Sequence, residues 1–115
     1  MANQVDYFEI GSPDAAAIIK FYGELFGWDI AAEPSEQGYH AVNKTAGGIW
    51  DTSKMGGAKY AIFYAHVDDV KASVATAESL GAKVLIPFTS GGGIEFAHLE
   101  DPQGNRFGVW RPIED

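Results

Sequence analysis

The sequence predicts an α+β protein built from two β-α-β-β-β modules in tandem. The first observation behind this fold class is a repeated order of glycine, β-branched residue and tryptophan at 48–50 and 108–110, an offset of 60 residues. The second is a pair of helical segments, 14–27 and 68–81, each opened by an aspartate and closed by a glycine 13 residues later. Because both matches occur in the same order of elements, they indicate an internal duplication.

A half-buried strand over residues 5–10 opens the first module. Its alternation places Phe8 and Ile10 on one face, which we expect to pack against the helices. Tyr7 and Glu9 then point to the opposite face.

The helix of the first module runs to about Phe26 and carries a signal at each end. Ser12 is placed to cap its start, and Pro13 suits the first helical position. Gly27 suits the stop. The stripe predicted to face the core contains Ile18, Tyr22 and Leu25.

Three short strands complete the first module, which covers about residues 5–51. The first strand is predicted at 28–32, and the segments 39–43 and 48–51 are predicted to pair as a hairpin. The small, glycine-containing segment 52–58 follows as a linker.

The second module covers about residues 59–112, and both modules belong to one domain spanning 1–115. A strand over 60–67 opens it, and Asp68 or Asp69 caps the helix that follows. The helical stripe contains Val70, Val74, Ala77 and Leu80, and Gly81 ends it.

The second module closes with a hairpin. A strand at 83–88 is followed by a predicted flexible loop at 89–93, which contains three consecutive glycines. After a strand at 94–99, the Asp-Pro-Gln-Gly segment at 101–104 predicts a type I turn, and the returning strand occupies 106–110.

Composition narrows the class of protein. The 115 residues contain no cysteine, which excludes disulfides, a thiolate nucleophile and zinc-thiolate sites. The net charge of −8 and pI near 4.7 oppose nucleic acid and anionic membranes as partners. No apolar run approaches the roughly 20 residues that cross a bilayer, and no signal peptide opens the chain, so we expect a cytoplasmic protein.

Three motifs give the chain a family resemblance. They are the helix ending Phe21-Tyr22-Gly23-Glu24-Leu25-Phe26-Gly27-Trp28, the segment Val67-Asp68-Asp69-Val70, and the turn Leu99-Glu100-Asp101-Pro102-Gln103-Gly104-Asn105. In this order they resemble the vicinal oxygen chelate superfamily, also called the glyoxalase/bleomycin resistance/dioxygenase family.

The resemblance implies a curved mixed sheet around a cavity, and two chains assembling as a homodimer. Enzymes of the family hold a divalent metal in that cavity with His, Gln or Glu side chains on the first and last strands of each module. Carried onto this sequence, the carboxylate positions fall on Gly48 and Gly108, and the histidine positions fall near Val5 and Ile62. Glycine supplies no side-chain ligand, so we expect no family-type metal.

We therefore predict a metal-independent protein that binds a small aromatic or amphipathic molecule in an aromatic cavity, with no cofactor. Glycine leaves room in the cavity, while tyrosine and tryptophan offer flat apolar faces with a polar edge. The predicted ligand contacts are Tyr7, Glu9, Gly48, Trp50, Tyr60, Ile62, Tyr64, Gly108 and Trp110. Trp50 and Trp110 are equally compatible with filling the core.

Two alternatives stay open. One is a divalent-metal lyase, isomerase or dioxygenase with displaced ligands, for which Glu9, His40 and His98 are the candidates. The other is a metal-free enzyme in which Glu9 or a tyrosine acts as acid or base. Against a catalytic role, the interpretation we favour for Glu9 is a solvated residue at the cavity rim.

Overall fold

The computed structural model describes residues 3–113 and divides into two compact units. The first unit is residues 7–61, and the second combines residues 3–6 with 62–113. The described residues contain two helices and seven strands, which confirms the predicted α+β class. The elements are β1 (Gln4–Ser12), α1 (Ala15–Phe26), β2 (Tyr39–Val42), β3 (Gly47–Asp51), β4 (Tyr60–His66), α2 (Val70–Ser79), β5 (Lys83–Gly91), β6 (Ile94–Glu100) and β7 (Arg106–Pro112).

In the first unit, β3 pairs on both sides. It runs parallel to β1 and antiparallel to β2, with Ile10 opposite Ile49 and His40 opposite the same isoleucine. These strands bury Ile10, Val42 and Ile49 together with Ala15 of α1, and the helix adds Ile18, Ile19 and Tyr22. One strand face therefore forms the core under α1, as the alternation of Phe8 and Ile10 predicted.

The start of α1 differs from the prediction, while its end agrees. Asp14 is the capping residue, because its side chain accepts a hydrogen bond from the backbone N–H of Ala17 at 3.1 Å. Ser12 belongs to β1, pairs with Asp51, and accepts the N–H of Asp14 at 3.0 Å, so Ser12 and Pro13 precede the helix. Gly27 ends it in a left-handed conformation, with φ of 70°.

Two further predictions for the first unit were wrong. The strand expected at 28–32 is reduced to a single bridge between Ile30 and Val42. Leu25 was placed in the core stripe of α1, but it is 57% exposed. Ile18 and Tyr22 face the strands, whereas Leu25 lies beside that face. The predicted stripe was therefore wider than the part of α1 that contacts the strands.

The second unit packs α2 on the strands β5, β6 and β7. Strand β4 runs parallel to β7, and the other pairs are antiparallel. Asp69 caps α2 by accepting the N–H of Ala72 at 3.0 Å. The buried core contains Val67, Val70, Ala97, Leu99 and Val109. Leu80, predicted in the helical stripe, is 73% exposed because α2 ends at Ser79.

The two hairpins of the second unit are well defined. At the closing hairpin, Asp101 Oδ1 accepts the N–H of Asn105 at 3.0 Å, and Gly104 has φ of 92°, which confirms the predicted turn. The flexible loop predicted at 89–93 was wrong, since β5 pairs with β6 as far as Gly91 opposite Ile94. Only Gly92 and Gly93, both with positive φ, make the tight turn.

Between residues 3 and 113, no helix is long and apolar enough to cross a membrane.

A matched pair of leucines tests this assignment of the core. Leu99→Ala removes a fully buried side chain, so we expect the free energy of unfolding to fall by about 2–5 kcal/mol. Leu80→Ala removes a side chain that is 73% exposed, and should change stability by less than about 0.5 kcal/mol. Urea unfolding measures both, and equal losses would contradict the assignment.

Candidate functional site

The face of the first unit opposite α1 carries the predicted site residues of that unit. Glu9 on β1 lies opposite Gly48 on β3, and Tyr39 on β2 lies opposite Trp50. Tyr7 lies two residues before Glu9, so it shares the same face.

Gly48 lies directly under an aromatic ring. A Cβ at Gly48 would collide with the ring of Tyr39, and the Tyr39 hydroxyl is 2.6 Å from that of Tyr7. Burial raises the pKa of Tyr7, more than its bond to Tyr39 lowers it, and the nearby Glu9 raises it further. The phenol of Tyr7 therefore stays protonated at neutral pH.

Glu9 is buried, which contradicts its interpretation as a solvated rim residue. It is 2% exposed, and its Oε2 accepts the hydroxyl hydrogen of Tyr60 at 2.5 Å. A Cβ at Gly11 would collide with the Tyr60 ring, so this glycine lets the tyrosine lie flat over β1 and reach Glu9. The hydrogen bond offsets part of the cost of burying a carboxyl group.

Trp50 is half-buried and held at both its ring and its nitrogen. Its Nε1–H donates to the carbonyl oxygen of Gln37 at 2.9 Å, and its ring meets Tyr39 edge-on at 6.1 Å between centroids. The indole therefore has a fixed orientation on the tyrosine-bearing face.

The second unit repeats the arrangement of glycine and ring. Tyr64 on β4 lies directly opposite Gly108 on β7, and a Cβ at Gly108 would collide with the Tyr64 ring. The Tyr64 hydroxyl lies 2.5 Å from Nε2 of His98, which is fully buried. Ile62, a predicted contact two residues before Tyr64, is 9% exposed.

Arg106 determines which nitrogen of His98 carries the proton. A guanidinium can only donate, and its Nη1 lies 3.1 Å from Nδ1 of His98, so Nδ1 accepts. Nε2 then carries the hydrogen and donates to Tyr64. Burial, and next the charge of Arg106, lower the pKa of His98 to about 4, which keeps the imidazole neutral.

Trp110, the equivalent of Trp50, is anchored to the N-terminal segment. Its Nε1–H donates to Oδ1 of Asp6 at 2.9 Å, while the other oxygen of Asp6 lies 2.9 Å from Nδ1 of His66. The ring of Trp110 also contacts His66 at 5.1 Å between centroids. The carboxylate of Asp6 therefore holds two aromatic side chains of the second unit in place.

The residues do not fit the metal site that the family implies. The two positions for carboxylate ligands are Gly48 and Gly108, and tyrosine rings cover both. In the displaced set of Glu9, His40 and His98, the first two do not share a face, because His40 lies opposite Ile49 on the face under α1 whereas Glu9 lies on the other face. Nδ1 of His40 lies 2.8 Å from the carbonyl oxygen of Ala31. Within residues 3–113, no group of three or more His, Asp or Glu side chains is arranged to hold a metal ion.

Sequence reasoning missed three residues of these faces: Tyr39, Arg106 and Asp6. Tyr39 lies in the predicted hairpin of 39–43 with 48–51, but its position opposite Trp50 depends on the register, which the structure supplies. Arg106 lies opposite Glu100, and its reach to His98 depends on a long side chain that strand alternation does not describe. The bond from Asp6 to Trp110 joins residues 104 positions apart, and no local pattern signals it.

Comparison with known proteins identifies the family. A family model for a glyoxalase-like domain matches residues 7–110. The chain belongs to this glyoxalase-like family, within the vicinal oxygen chelate superfamily. The anthracycline biosynthesis protein DnrV of Streptomyces peucetius is 30% identical over 127 residues, covering 91% of this chain and 46% of DnrV. The chain thus spans about half the length of that relative.

Solved structures share the fold at low identity. Hypothetical protein BH1468 of Bacillus halodurans has a TM-score of 0.67 at 12% identity, covering 100% of this chain and 98% of its own. A Streptomyces coelicolor methylmalonyl-CoA epimerase variant bound to 2-nitronate-propionyl-CoA has a TM-score of 0.63 at 17% identity, covering 99% and 100%. The Mycobacterium tuberculosis epimerase has a TM-score of 0.63 at 18% identity, covering 98% and 90%.

The buried, neutral His98 predicts a specific dependence of stability on pH. Its pKa falls from 6.5 to about 4 on folding, so the unfolded chain binds the proton first as the pH drops. Above about pH 7.5, His98 should not affect how the free energy of unfolding depends on pH. Between pH 7 and pH 4, protonation of this histidine in the unfolded chain should lower the free energy of unfolding by about 3 kcal/mol.

Urea unfolding of the wild type and of His98→Gln across this pH range isolates the contribution. The difference in unfolding free energy between the two proteins should shrink as the pH falls, because only the wild type loses this stability. A difference independent of pH would contradict a buried, neutral His98.

Proposed function

We propose that this protein binds a small aromatic molecule without a metal ion or other cofactor. The observation that carries the proposal is the pair of tyrosine rings, Tyr39 and Tyr64, that lie over the glycines at the family's carboxylate positions. Over Gly48, the half-buried ring of Tyr39 presents flat apolar surface and a hydroxyl group, which suit an aromatic ligand, whereas Tyr64 over Gly108 is only 4% exposed.

The face of the first unit supports this choice of ligand. Tyr7, Tyr39, Trp50 and Tyr60 are each half-buried there, so their rings retain surface that a ligand can cover. Glu9 accepts the Tyr60 hydroxyl, and a ligand hydroxyl or cationic group that displaced Tyr60 would meet the same carboxylate. Recognition of a hydrogen-bond donor on the ligand is therefore the role proposed for Glu9.

The proposed contacts are those predicted from the sequence. In the first unit they are Tyr7, Glu9, Gly48, Trp50 and Tyr60, and in the second they are Ile62, Tyr64, Gly108 and Trp110. The two glycines contribute by admitting the rings above them.

The similarity to DnrV supports a polycyclic ligand. That relative is named for anthracycline biosynthesis, and anthracyclines contain a hydroxylated anthraquinone ring system. A hydroxyanthraquinone offers a planar apolar body with hydroxyl groups at its edge, which matches ring faces beside a carboxylate. The net charge of −8 supports the further proposal that neither nucleic acid nor an anionic membrane is a partner.

Calorimetric titration with 1,4-dihydroxyanthraquinone tests the proposal. The protein should be purified without metal-affinity resin and measured with and without EDTA. We expect a dissociation constant of about 1–100 μM that EDTA leaves unchanged, since ring stacking and burial supply the affinity. Trp50→Ala should weaken binding at least tenfold, because the indole is one of the proposed contacts.

Phe26→Ala is the matched control. Phe26 is an aromatic side chain that is 56% exposed on α1, so its loss should leave the affinity unchanged. Absence of binding, or an equal effect of both variants, would contradict the proposal. One bound divalent metal per chain together with binding abolished by EDTA would instead favour a metal-dependent lyase, isomerase or dioxygenase.

A further inference from the structure

A carboxylate, an imidazole and an indole contact one another in the second unit, apart from the hydrogen bonds of His98. Oδ2 of Asp6 lies 2.9 Å from Nδ1 of His66, and Oδ1 of Asp6 accepts the Nε1–H of Trp110 at 2.9 Å. The imidazole and indole rings lie 5.1 Å apart between centroids. This group therefore joins a fixed hydrogen-bonding side chain to an aromatic surface.

Both rings lie on the strand face that α2 leaves uncovered. His66 on β4 lies directly opposite Trp110 on β7. Val109, the neighbour of Trp110, points into the core under α2, so Trp110 and His66 occupy the other face, which also carries Tyr64. The side chain of His66 is 33% exposed, so a small ligand can reach it.

Asp6 determines which nitrogen of His66 accepts a hydrogen bond. An ionised carboxylate only accepts, so the neutral imidazole carries its hydrogen on Nδ1 and keeps a lone pair on Nε2. The bond from Trp110 to the other oxygen fixes the orientation of the carboxylate. Nε2 of His66 is thus an oriented hydrogen-bond acceptor beside an indole ring.

A phenol has the chemistry that matches this group. Its ring is flat and apolar, as the indole and imidazole rings require, and its O–H donates to a nitrogen lone pair. An anionic ligand is disfavoured by the carboxylate of Asp6 and by the net charge of −8. An aromatic ether has the same flat ring but no hydrogen to donate.

We propose that Asp6, His66 and Trp110 form a phenol-binding site, in which Nε2 of His66 accepts the ligand hydroxyl and Asp6 is the positioning residue. The proposal rests on the proposed function for the aromatic class of the ligand. It adds a second hydrogen-bond acceptor to the one assigned to Glu9. His66 thereby selects hydroxylated rings over O-methylated rings.

NMR titration with 4-cyanophenol and its methyl ether, 4-methoxybenzonitrile, tests the proposal. The wild type should bind the phenol with a dissociation constant of about 0.1–1 mM, and the ether at least about fivefold more weakly. The ¹⁵N resonances of His66 should show a hydrogen on Nδ1. The Nε2 resonance should shift on addition of the phenol and not of the ether, a readout that needs no variant.

Two variants remove the acceptor in different ways. His66→Phe keeps an aromatic ring without a nitrogen, so the two probes should bind with affinities equal to within about twofold. In Asp6→Asn, the amide oxygen stays with Trp110 and the amide NH₂ faces Nδ1, which moves the imidazole hydrogen to Nε2 and abolishes the preference. Asp29→Asn, at an exposed aspartate of the first unit, is the matched control and should retain the preference.

Absence of 4-cyanophenol binding up to about 10 mM would overturn the proposal. A preference for the phenol that persists in His66→Phe would also overturn it, because another group would then be the acceptor. An unchanged imidazole tautomer in Asp6→Asn would contradict the positioning role. Binding of dihydroxyanthraquinone without this phenol preference rejects the His66 site alone, whereas the reverse result rejects the proposed function alone.

Discussion

The packing of aromatic rings over strand glycines is the interaction on which the faces opposite the helices depend. Tyr39 covers Gly48, Tyr60 covers Gly11 and Tyr64 covers Gly108. A glycine in a strand loses backbone entropy and offers no side chain to pack, and a ring across the strand restores the missing contact. Each ring also brings a hydroxyl to a defined partner, so packing and hydrogen bonding are fixed by the same pair of residues.

Two of these pairs place tyrosine rings at the positions where the family resemblance implies carboxylate metal ligands, Gly48 and Gly108. In the second unit, Tyr64, His98 and Arg106 form a continuous chain of hydrogen bonds in which each donor and acceptor follows from the guanidinium. These hydrogen bonds give both ring nitrogens of the fully buried His98 a partner, and the imidazole stays neutral. In the first unit, the buried carboxyl group of Glu9 accepts a hydrogen bond from the phenol of Tyr60.

The sequence predicted the fold closely because the residues that end its helices and form its turns act locally. Gly27 and the turn at 101–104 act through backbone conformation, and both agree with the prediction. The errors arose where tertiary packing decides. Ser12 has the chemistry of a cap, but pairing of β1 with β3 extends over it. Gly48 and Gly108 were predicted to leave room in a cavity, yet the sequence could not show that the protein's own tyrosine rings occupy that room.

Glycine is required at position 48 because the Tyr39 ring occupies the space above it. Urea unfolding of Gly48→Ala, Tyr39→Ala and the double variant measures this coupling directly. We expect Gly48→Ala to destabilise the wild type by about 1–3 kcal/mol, because the added Cβ collides with the ring, and to be neutral or stabilising once the ring is removed. Effects that add to within about 0.5 kcal/mol would contradict it.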